Sequence, residues 1–214
     1  MTASIAVLGL DLSLTGTGIA EILPLNTTPG CRVHTLTPPR DKATGHDRLQ
    51  WIVEAVWDTF WLHAGARAYP LVVPLVVVEG PSYGSASGTR QGGHHERAGL
   101  WWLVTHKLWT EGVDVAVVAP AALKRYATGK GNASKDQVLA AAVRRWPDID
   151  MDNNGADALW LAAMGRDHIG HPIVRMPAAN RLALDAVAWP AWPSDRADEL
   201  AGVPAGMPSE RKPQ

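Results

Sequence analysis

Three acidic residues stand beside apolar segments in positions that could assemble a metal site. Asp11 follows the apolar run IAVLGL, Glu79 follows LVVPLVVV, and Asp157 stands at the head of the apolar stretch ADALWLAAM. A carboxylate at the end of a buried strand is costly to desolvate, and a divalent cation offsets that cost well. Two strands and a helix that bring three carboxylates together therefore predict a magnesium site for phosphodiester hydrolysis.

The hydrophobic pattern predicts the elements that must position these acids. Short apolar runs predict five strands, over residues 5–10, 19–23, 32–36, 75–78 and 113–118. Longer amphipathic or apolar stretches predict helices over residues 46–63, 95–111, 135–146 and 154–165, and a short helix that begins at Pro120. Ser134 is the predicted N-cap of the helix over 135–146.

The order of these elements predicts an α/β fold. Short connections favour an antiparallel arrangement of the first three strands, whereas helices separate the later ones. The expected architecture is a five-stranded mixed sheet, with three antiparallel strands and then two parallel ones, flanked by helices. The first and fourth strands lie side by side in this sheet, which brings Asp11 and Glu79 together.

Composition restricts the class of protein and the compartment. The chain has 214 residues and a net charge of −1, which is not typical of a strongly basic nucleic-acid binder. Basic character is local, because residues 124–145 contain six Lys or Arg and one acid. The single cysteine, Cys31, favours a reducing cytosol, and no apolar stretch is long enough to predict a membrane span. No signal peptide is expected, since the N-terminus lacks a basic region.

Four motifs resemble the RuvC family of Holliday-junction resolvases, which have an RNase H-like fold. They are VLGLDLSLTGTGIA, LVVVEGPSYG, PAALKRYATGKGNASKDQVLAAAVRRW and ADALWLAAM. Together they cover roughly residues 5–168. We therefore expect a nuclease domain over residues 1–168 and a Pro- and Trp-containing extension over residues 169–214. The extension is expected to pack loosely around residues 180–192 and to be disordered from about residue 200.

The resemblance implies an Mg²⁺-dependent endonuclease, with Mn²⁺ able to substitute, that resolves four-way DNA junctions as a homodimer by paired symmetric nicks. The catalytic residues that it implies are Asp11, Glu79, Asp157 and Lys135. The DNA-binding residues are Lys124, Arg125, Lys130, Lys135, Tyr83 and Arg90, with Tyr83 as the analogue of an aromatic that wedges into the junction. The dimer interface is expected on the helix over 95–111.

One position departs from the family pattern. The family has two acids three residues apart on the last helix, whereas this chain has Asn154 and Asp157. An amide oxygen can coordinate magnesium but adds no charge. Either Asn154 joins Asp11, Glu79 and Asp157 as a neutral ligand, or Asp152 or Asp150 substitutes, or one ion binds weakly. We favour Asn154 as the ligand, with Asp152 as the candidate substitute.

Three other functions compete with junction resolution. A general branched-DNA nuclease would use the same residues, and a junction-binding module without catalysis would explain Asn154. An actin-like ATPase or sugar kinase opens with a similar strand and turn, but such proteins usually contain a second domain. The expected location is the cytoplasm, that of the host cell if a phage encodes the chain. The sequence leaves open whether a branch-migration motor is a partner.

Overall fold

The computed structural model describes residues 7–23, 30–63, 75–81 and 91–190. The strands are β1 (Val7–Asp11), β2 (Thr17–Leu23), β3 (Gly30–Leu36), β4 (Leu75–Glu79) and β5 (Asp114–Val118). The helices are α1 (Gly45–His63), α2 (Gln91–Thr110), α3 (Pro120–Thr128), α4 (Lys135–Arg145), α5 (Asn153–His168) and α6 (Ala178–Arg181). Short 3₁₀ turns lie at Arg40–Lys42 and Leu184–Ala186.

The five strands form one mixed sheet in the order β3-β2-β1-β4-β5. β1 pairs antiparallel with β2 and parallel with β4, and β5 continues the parallel half as an edge strand. Leu10 is in register with Val78, so the carboxyl ends of β1 and β4 lie at the same edge of the sheet. The predicted sheet and the adjacency of its first and fourth strands are therefore confirmed.

Alternating side chains of the strands divide the core into two layers. Val7 and Val77 face the layer that contains α3, α4 and α5, whereas Leu8 and Val76 face the layer that contains α1 and α2. Helix α5 is buried along almost its whole length, which explains why its apolar residues surround the helix rather than forming one stripe. None of the helices in the described ranges is long and apolar enough to cross a membrane.

Helix α2 begins earlier than the sequence predicts. It starts at Gln91 rather than at residue 95, and so includes the Gly92–Gly93 pair. Glycine weakens a helix interior by roughly 1 kcal/mol, a cost small enough for tertiary contacts to offset. The ion pair between Arg48 of α1 and Glu96 of α2 is one such contact, because it ties this first part of α2 to α1.

The described part of the extension is packed against the core, so the prediction of loose packing around residues 180–192 is wrong as far as Pro190. Ala183, Leu184 and Val187 are buried in the same apolar cluster as α3 and α5. The Trp189 ring stacks on His168 with centroids 4.2 Å apart, and its Nε1 donates to the Leu184 carbonyl at 2.9 Å. The predicted disorder from about residue 200 lies outside the described residues.

A buried acid on β2 is expected to make the stability of the fold pH-dependent. Burial raises the pKa of Glu21 to about 7 from an ordinary value of 4.5, and Arg32 opposes the rise. Between these two values the folded protein holds a proton that the unfolded chain has released, so the stability contributed by this group falls as the pH rises. The loss continues until the pH passes the folded-state pKa.

Replacing Glu21 by glutamine should remove this dependence. Relative to wild type, the unfolding free energy of Glu21→Gln should improve by on the order of 2–3 kcal/mol between about pH 5 and about pH 8. Urea titrations of both proteins at the two pH values measure the difference. The prediction would be contradicted if the unfolding free energies of wild type and variant fell by the same amount between these two pH values.

Candidate active site

Asp11 and Glu79 meet at the carboxyl edge of the sheet. They end neighbouring parallel strands, and their carboxyl groups lie close enough for the charge of Asp11 to raise the pKa of Glu79. Burial, and then the negative charges of Asp11 and Asp157, raise the pKa of Glu79 to about 8. Burial also raises the pKa of Asp11, whereas the ammonium group of Lys135 opposes that rise. This edge therefore concentrates carboxyl groups in a poorly hydrated place, which disfavours their charged form.

Helix α5 supplies the third carboxylate by lying very close to β1 and β2. A Cβ on Gly9 would lie 1.9 Å from the Ala158 carbonyl oxygen, and a Cβ on Gly18 would lie 2.1 Å from the Asn154 carbonyl oxygen. Only glycine at these two strand positions allows the helix backbone to approach so closely. The first turns of α5 are thereby held over the ends of β1 and β2.

The close approach of α5 brings Asn154 and Asp157 into the cleft that Asp11 and Glu79 also line. The two residues are three apart on a helix and so share a face. Burial, and then the charge of Asp11, raise the pKa of Asp157 to about 7, against the opposing charges of Lys135 and Lys124. The structure thus brings together the three predicted carboxylates and the amide.

Asp152, the candidate substitute ligand, has a structural role at the start of α5. Its Oδ1 accepts hydrogen bonds from the Gly155 backbone N–H at 2.8 Å and from the Thr35 hydroxyl at 2.7 Å. Asp152 is therefore the N-cap of α5 and links it to β3. It does not line the cleft, although its charge contributes to the raised pKa of Asp11.

The cleft has a volume of about 640 Å³ and carries basic groups opposite the acids. Lys124 of α3 and Lys135 at the first turn of α4 both line it. Ser134 caps α4 as predicted, because its Oγ accepts from the Gln137 N–H while the Gln137 side chain accepts from the Ser134 N–H. This capping box fixes the backbone at Lys135, from which the ammonium group reaches toward the carboxylates.

Of the other four predicted DNA-binding residues, two are exposed outside the cleft and two lie outside the described residues. Arg125 on α3 and Lys130 in the following loop are exposed to solvent, but neither lines the cleft. Tyr83 and Arg90 lie outside the described residues.

The donor set suits a hard divalent cation, but the site is not preassembled. Asp11, Glu79 and Asp157 offer only oxygen ligands, which Mg²⁺ prefers, and their shared burial and repulsion would be relieved by positive charge. Within the described residues, no group of three or more His, Cys, Asp or Glu side chains is arranged to hold a metal ion. The carboxylates would have to turn toward a common point to coordinate one.

Helix α2 forms one side of the cleft, which the sequence did not predict. His94, Arg97 and Trp101 line it, and the Trp101 Nε1 donates a hydrogen bond to the backbone carbonyl of Glu79 at 3.0 Å. The end of β4 is held from its other side, because the Gly80 N–H donates to the Val118 carbonyl at 2.8 Å. The sequence did not predict this contact, since spacing within a helix does not identify a bond to a distant carbonyl.

Solved structures share the fold of this chain. RuvC from Thermus thermophilus matches with a TM-score of 0.54 and 17% sequence identity over 78% of this chain and 97% of its own. T. thermophilus RuvC in complex with a Holliday-junction substrate matches with a TM-score of 0.54 and 16% identity, covering 81% of this chain and 99% of its own. No protein-family model matches the chain, and no curated protein matches it. The chain therefore has the RuvC-like, RNase H-type fold that its motifs predict.

Proposed function

We propose that this chain is a metal-dependent endonuclease that cuts branched DNA, with four-way junctions as its principal substrate. The observation that carries the proposal is the cleft in which Asp11, Glu79 and Asp157 converge opposite Lys135. The RuvC-like fold supports it, since a protein of that fold has been solved with a Holliday-junction substrate. Because this DNA is intracellular, we propose the cytoplasm as the location, that of the host if a phage encodes the chain.

The proposed mechanism assigns a separate role to each group in the cleft. Asp11, Glu79 and Asp157 would hold magnesium, or manganese in its place, with Asn154 as a neutral oxygen donor. Bound metal would activate water and offset the charge that develops on the leaving 3′-oxygen. Asp11 would be the central ligand of this set, because it ends the central strand of the sheet beside Glu79 of β4.

The basic residues would act on the phosphates. Lys135 is near enough to oppose the raised pKa of all three carboxylates, so a scissile phosphate bound among them would also lie near its ammonium group. There it would stabilise negative charge in the transition state. Lys124, Arg125 and Lys130 would bind flanking phosphates, with an affinity that falls as salt rises.

We further propose that the active form is a homodimer. Helix α2 and the edge strand β5 expose Trp102 (67%), Trp109 (65%) and Val117 (41%) along an apolar groove of about 510 Å³. A second copy that covers this face would bury the tryptophans and set two clefts at a constant separation, as symmetric nicks require. Sedimentation equilibrium tests this: a monomer at micromolar concentration, with and without junction DNA, would refute the dimer.

The test of the function is cleavage of a labelled four-way junction with Mg²⁺ or Mn²⁺, beside linear duplex and fork controls. Paired symmetric nicks on the junction are the expected result. Equal cutting of forks would instead indicate a general branched-DNA nuclease. Tight junction binding without cutting would favour the second candidate, a junction-binding module, for which Asn154 and the absence of a ready metal cluster in the described residues both argue.

Asn154→Asp should strengthen the metal site. A fourth carboxylate on the cleft face of α5 adds charge to the donor set, so the Mg²⁺ concentration for half-maximal cleavage should fall by roughly 3–10-fold. Asn153→Asp is the matched control, because it adds the same charge to the same helix terminus at a residue that does not line the cleft. Magnesium titrations of initial rate compare the three proteins, and equal shifts in both variants would exclude a ligand role for position 154.

Trp101→Phe should impair cleavage without weakening DNA binding. The variant keeps an aromatic ring but removes the N–H that holds the Glu79 carbonyl, so kcat should fall about 5–10-fold while the junction Kd stays within about twofold. Trp51→Phe is the control, since Trp51 is a partly buried tryptophan of α1 that does not line the cleft. Single-turnover kinetics and binding titrations measure both quantities. Indistinguishable rates for the two variants would show that this hydrogen bond does not position Glu79.

A further inference from the structure

The extension after α5 makes a buried polar connection between three helices. Asp167, near the end of α5, is almost fully buried and accepts a hydrogen bond from the Tyr126 hydroxyl of α3 at 3.0 Å. Arg181 of α6 binds the same carboxylate through two contacts, Nε to Oδ2 at 3.0 Å and Nη2 to Oδ1 at 2.9 Å. Burial raises the pKa of Tyr126, so its hydroxyl stays protonated and can donate to the carboxylate. Such charge-assisted, two-point contacts are among the stronger polar interactions in proteins.

Asn180 makes a second, independent connection to the end of α3. It is buried, and its Nδ2 donates to the Tyr126 backbone carbonyl at 2.8 Å. It also lies against Gly129, the left-handed C-cap of α3 with φ of +81°, where an added Cβ would be 3.5 Å from the Asn180 Oδ1. Asn180 therefore packs at the point where α3 ends and the loop Gly129–Lys130–Gly131 begins.

Both connections restrain helix α3, which carries basic residues. The start of α3 lines the catalytic cleft with Pro120, Leu123 and Lys124, and its end leads into Lys130 and on to Ser134 and Lys135. The extension packs against α3, where Ala183 and Leu184 belong to the same buried apolar cluster as Tyr126. A shift of α6 would move α3 and the loop after it.

We propose that residues 178–187 form a clamp that positions α3 and the 129–131 loop for binding DNA phosphates, with Asn180 and Arg181 as its positioning residues. This inference rests on the proposed function and gives the extension a role in it. The clamp acts through Tyr126 and Asp167 rather than by touching DNA. Its loss should therefore weaken substrate binding while leaving the chemistry of the bound substrate intact.

The variants Asn180→Ala and Arg181→Met test the clamp in the full-length chain. Each should raise the junction Kd about fivefold or more, as expected when a buried hydrogen bond of ordinary strength is removed, while kcat at saturating DNA stays within about twofold. Leu182→Ala is the matched control, because Leu182 lies in the same segment and is exposed. Its Kd should match that of the wild type.

Hydrogen–deuterium exchange provides a readout that does not depend on activity. The amides of residues 127–131 should exchange faster in Asn180→Ala, whereas those of the buried helix α5 should not change. Faster exchange with unchanged Kd would mean that the clamp is only structural and would overturn the proposal, as would unchanged exchange. A wild-type protein that neither binds nor cuts junctions would instead overturn the proposed function, and with it the DNA role of the clamp.

Discussion

Asp11→Asn is expected to reduce junction cleavage by at least about 1,000-fold, because it removes the carboxylate at the centre of the proposed metal site. Glu79→Gln and Asp157→Asn should also inactivate the protein, since each removes one carboxylate from the same cleft. Junction binding should change little, because the proposed phosphate contacts come from lysine and arginine residues on α3, α4 and the loop between them. Cleavage time courses and binding titrations in Mg²⁺ measure the two effects separately.

The stability of Asp11→Asn shows whether a loss of activity comes from the missing carboxylate or from unfolding of the protein. Asp11 is buried beside Glu79 and near Asp157, so in metal-free buffer its charge is unfavourable to folding. Neutralising it should leave the melting temperature unchanged or raise it, and Mg²⁺ should stabilise the variant less than the wild type. Asp148→Asn, an exposed acid outside the cleft, is the control and should retain full activity. An Asp11→Asn protein that still cuts efficiently would refute the assigned site.

Gly18→Ala should damage both the stability and the activity of the protein. The added methyl would lie 2.1 Å from the Asn154 carbonyl oxygen and 3.1 Å from the Gly155 nitrogen, both backbone atoms of α5. Relief of this overlap requires α5 to move off the sheet, at a cost of about 2–4 kcal/mol in unfolding free energy. Because Asn154 and Asp157 move with the helix, cleavage should fall about 100-fold even in the fraction that remains folded.

The control for this prediction is another glycine. Gly99 lies in α2, and within the described residues no atom outside its own helix backbone and chain neighbours lies within 4 Å of an added Cβ, so Gly99→Ala should stabilise the helix by about 0.5–1 kcal/mol. Denaturant titrations at a pH where both variants are folded give the free energies, and rates are compared per folded molecule. Gly18→Ala with wild-type stability would show that the approach of α5 to β2 is less tight than the structure has it.

Much of the site could be predicted from local sequence. Each apolar run is long enough for one strand, and the lengths of the connections between runs distinguish antiparallel from parallel neighbours, so the sheet order follows. The position of Asp11 after one run and Glu79 after another then places both at one edge. Ser134 is likewise predicted as an N-cap from local sequence, and the capping box that it forms with Gln137 spans only three positions.

Contacts between residues distant in sequence could not be predicted in this way. Trp101 holds the Glu79 carbonyl, Thr35 binds the cap residue Asp152, and Arg181 binds Asp167. None of these pairs has a periodic or local signal, since each depends on which faces of the packed elements meet. The extension was predicted to pack loosely because its Pro- and Ala-rich composition resembles a linker, yet Asn180 and Leu184 are buried there.

The sequence alone therefore determined the sheet, the strands that carry Asp11 and Glu79, and the helix that carries Asp157, because period and turn chemistry are local properties of the chain. Only the tertiary structure decided how closely these three carboxyl groups approach one another. The depth to which α5 lies on Gly9 and Gly18, the role of Asp152 as a cap and the support of α3 by the extension depend on packing. Packing is a property of several segments together, and it is decided only when all of them are in place.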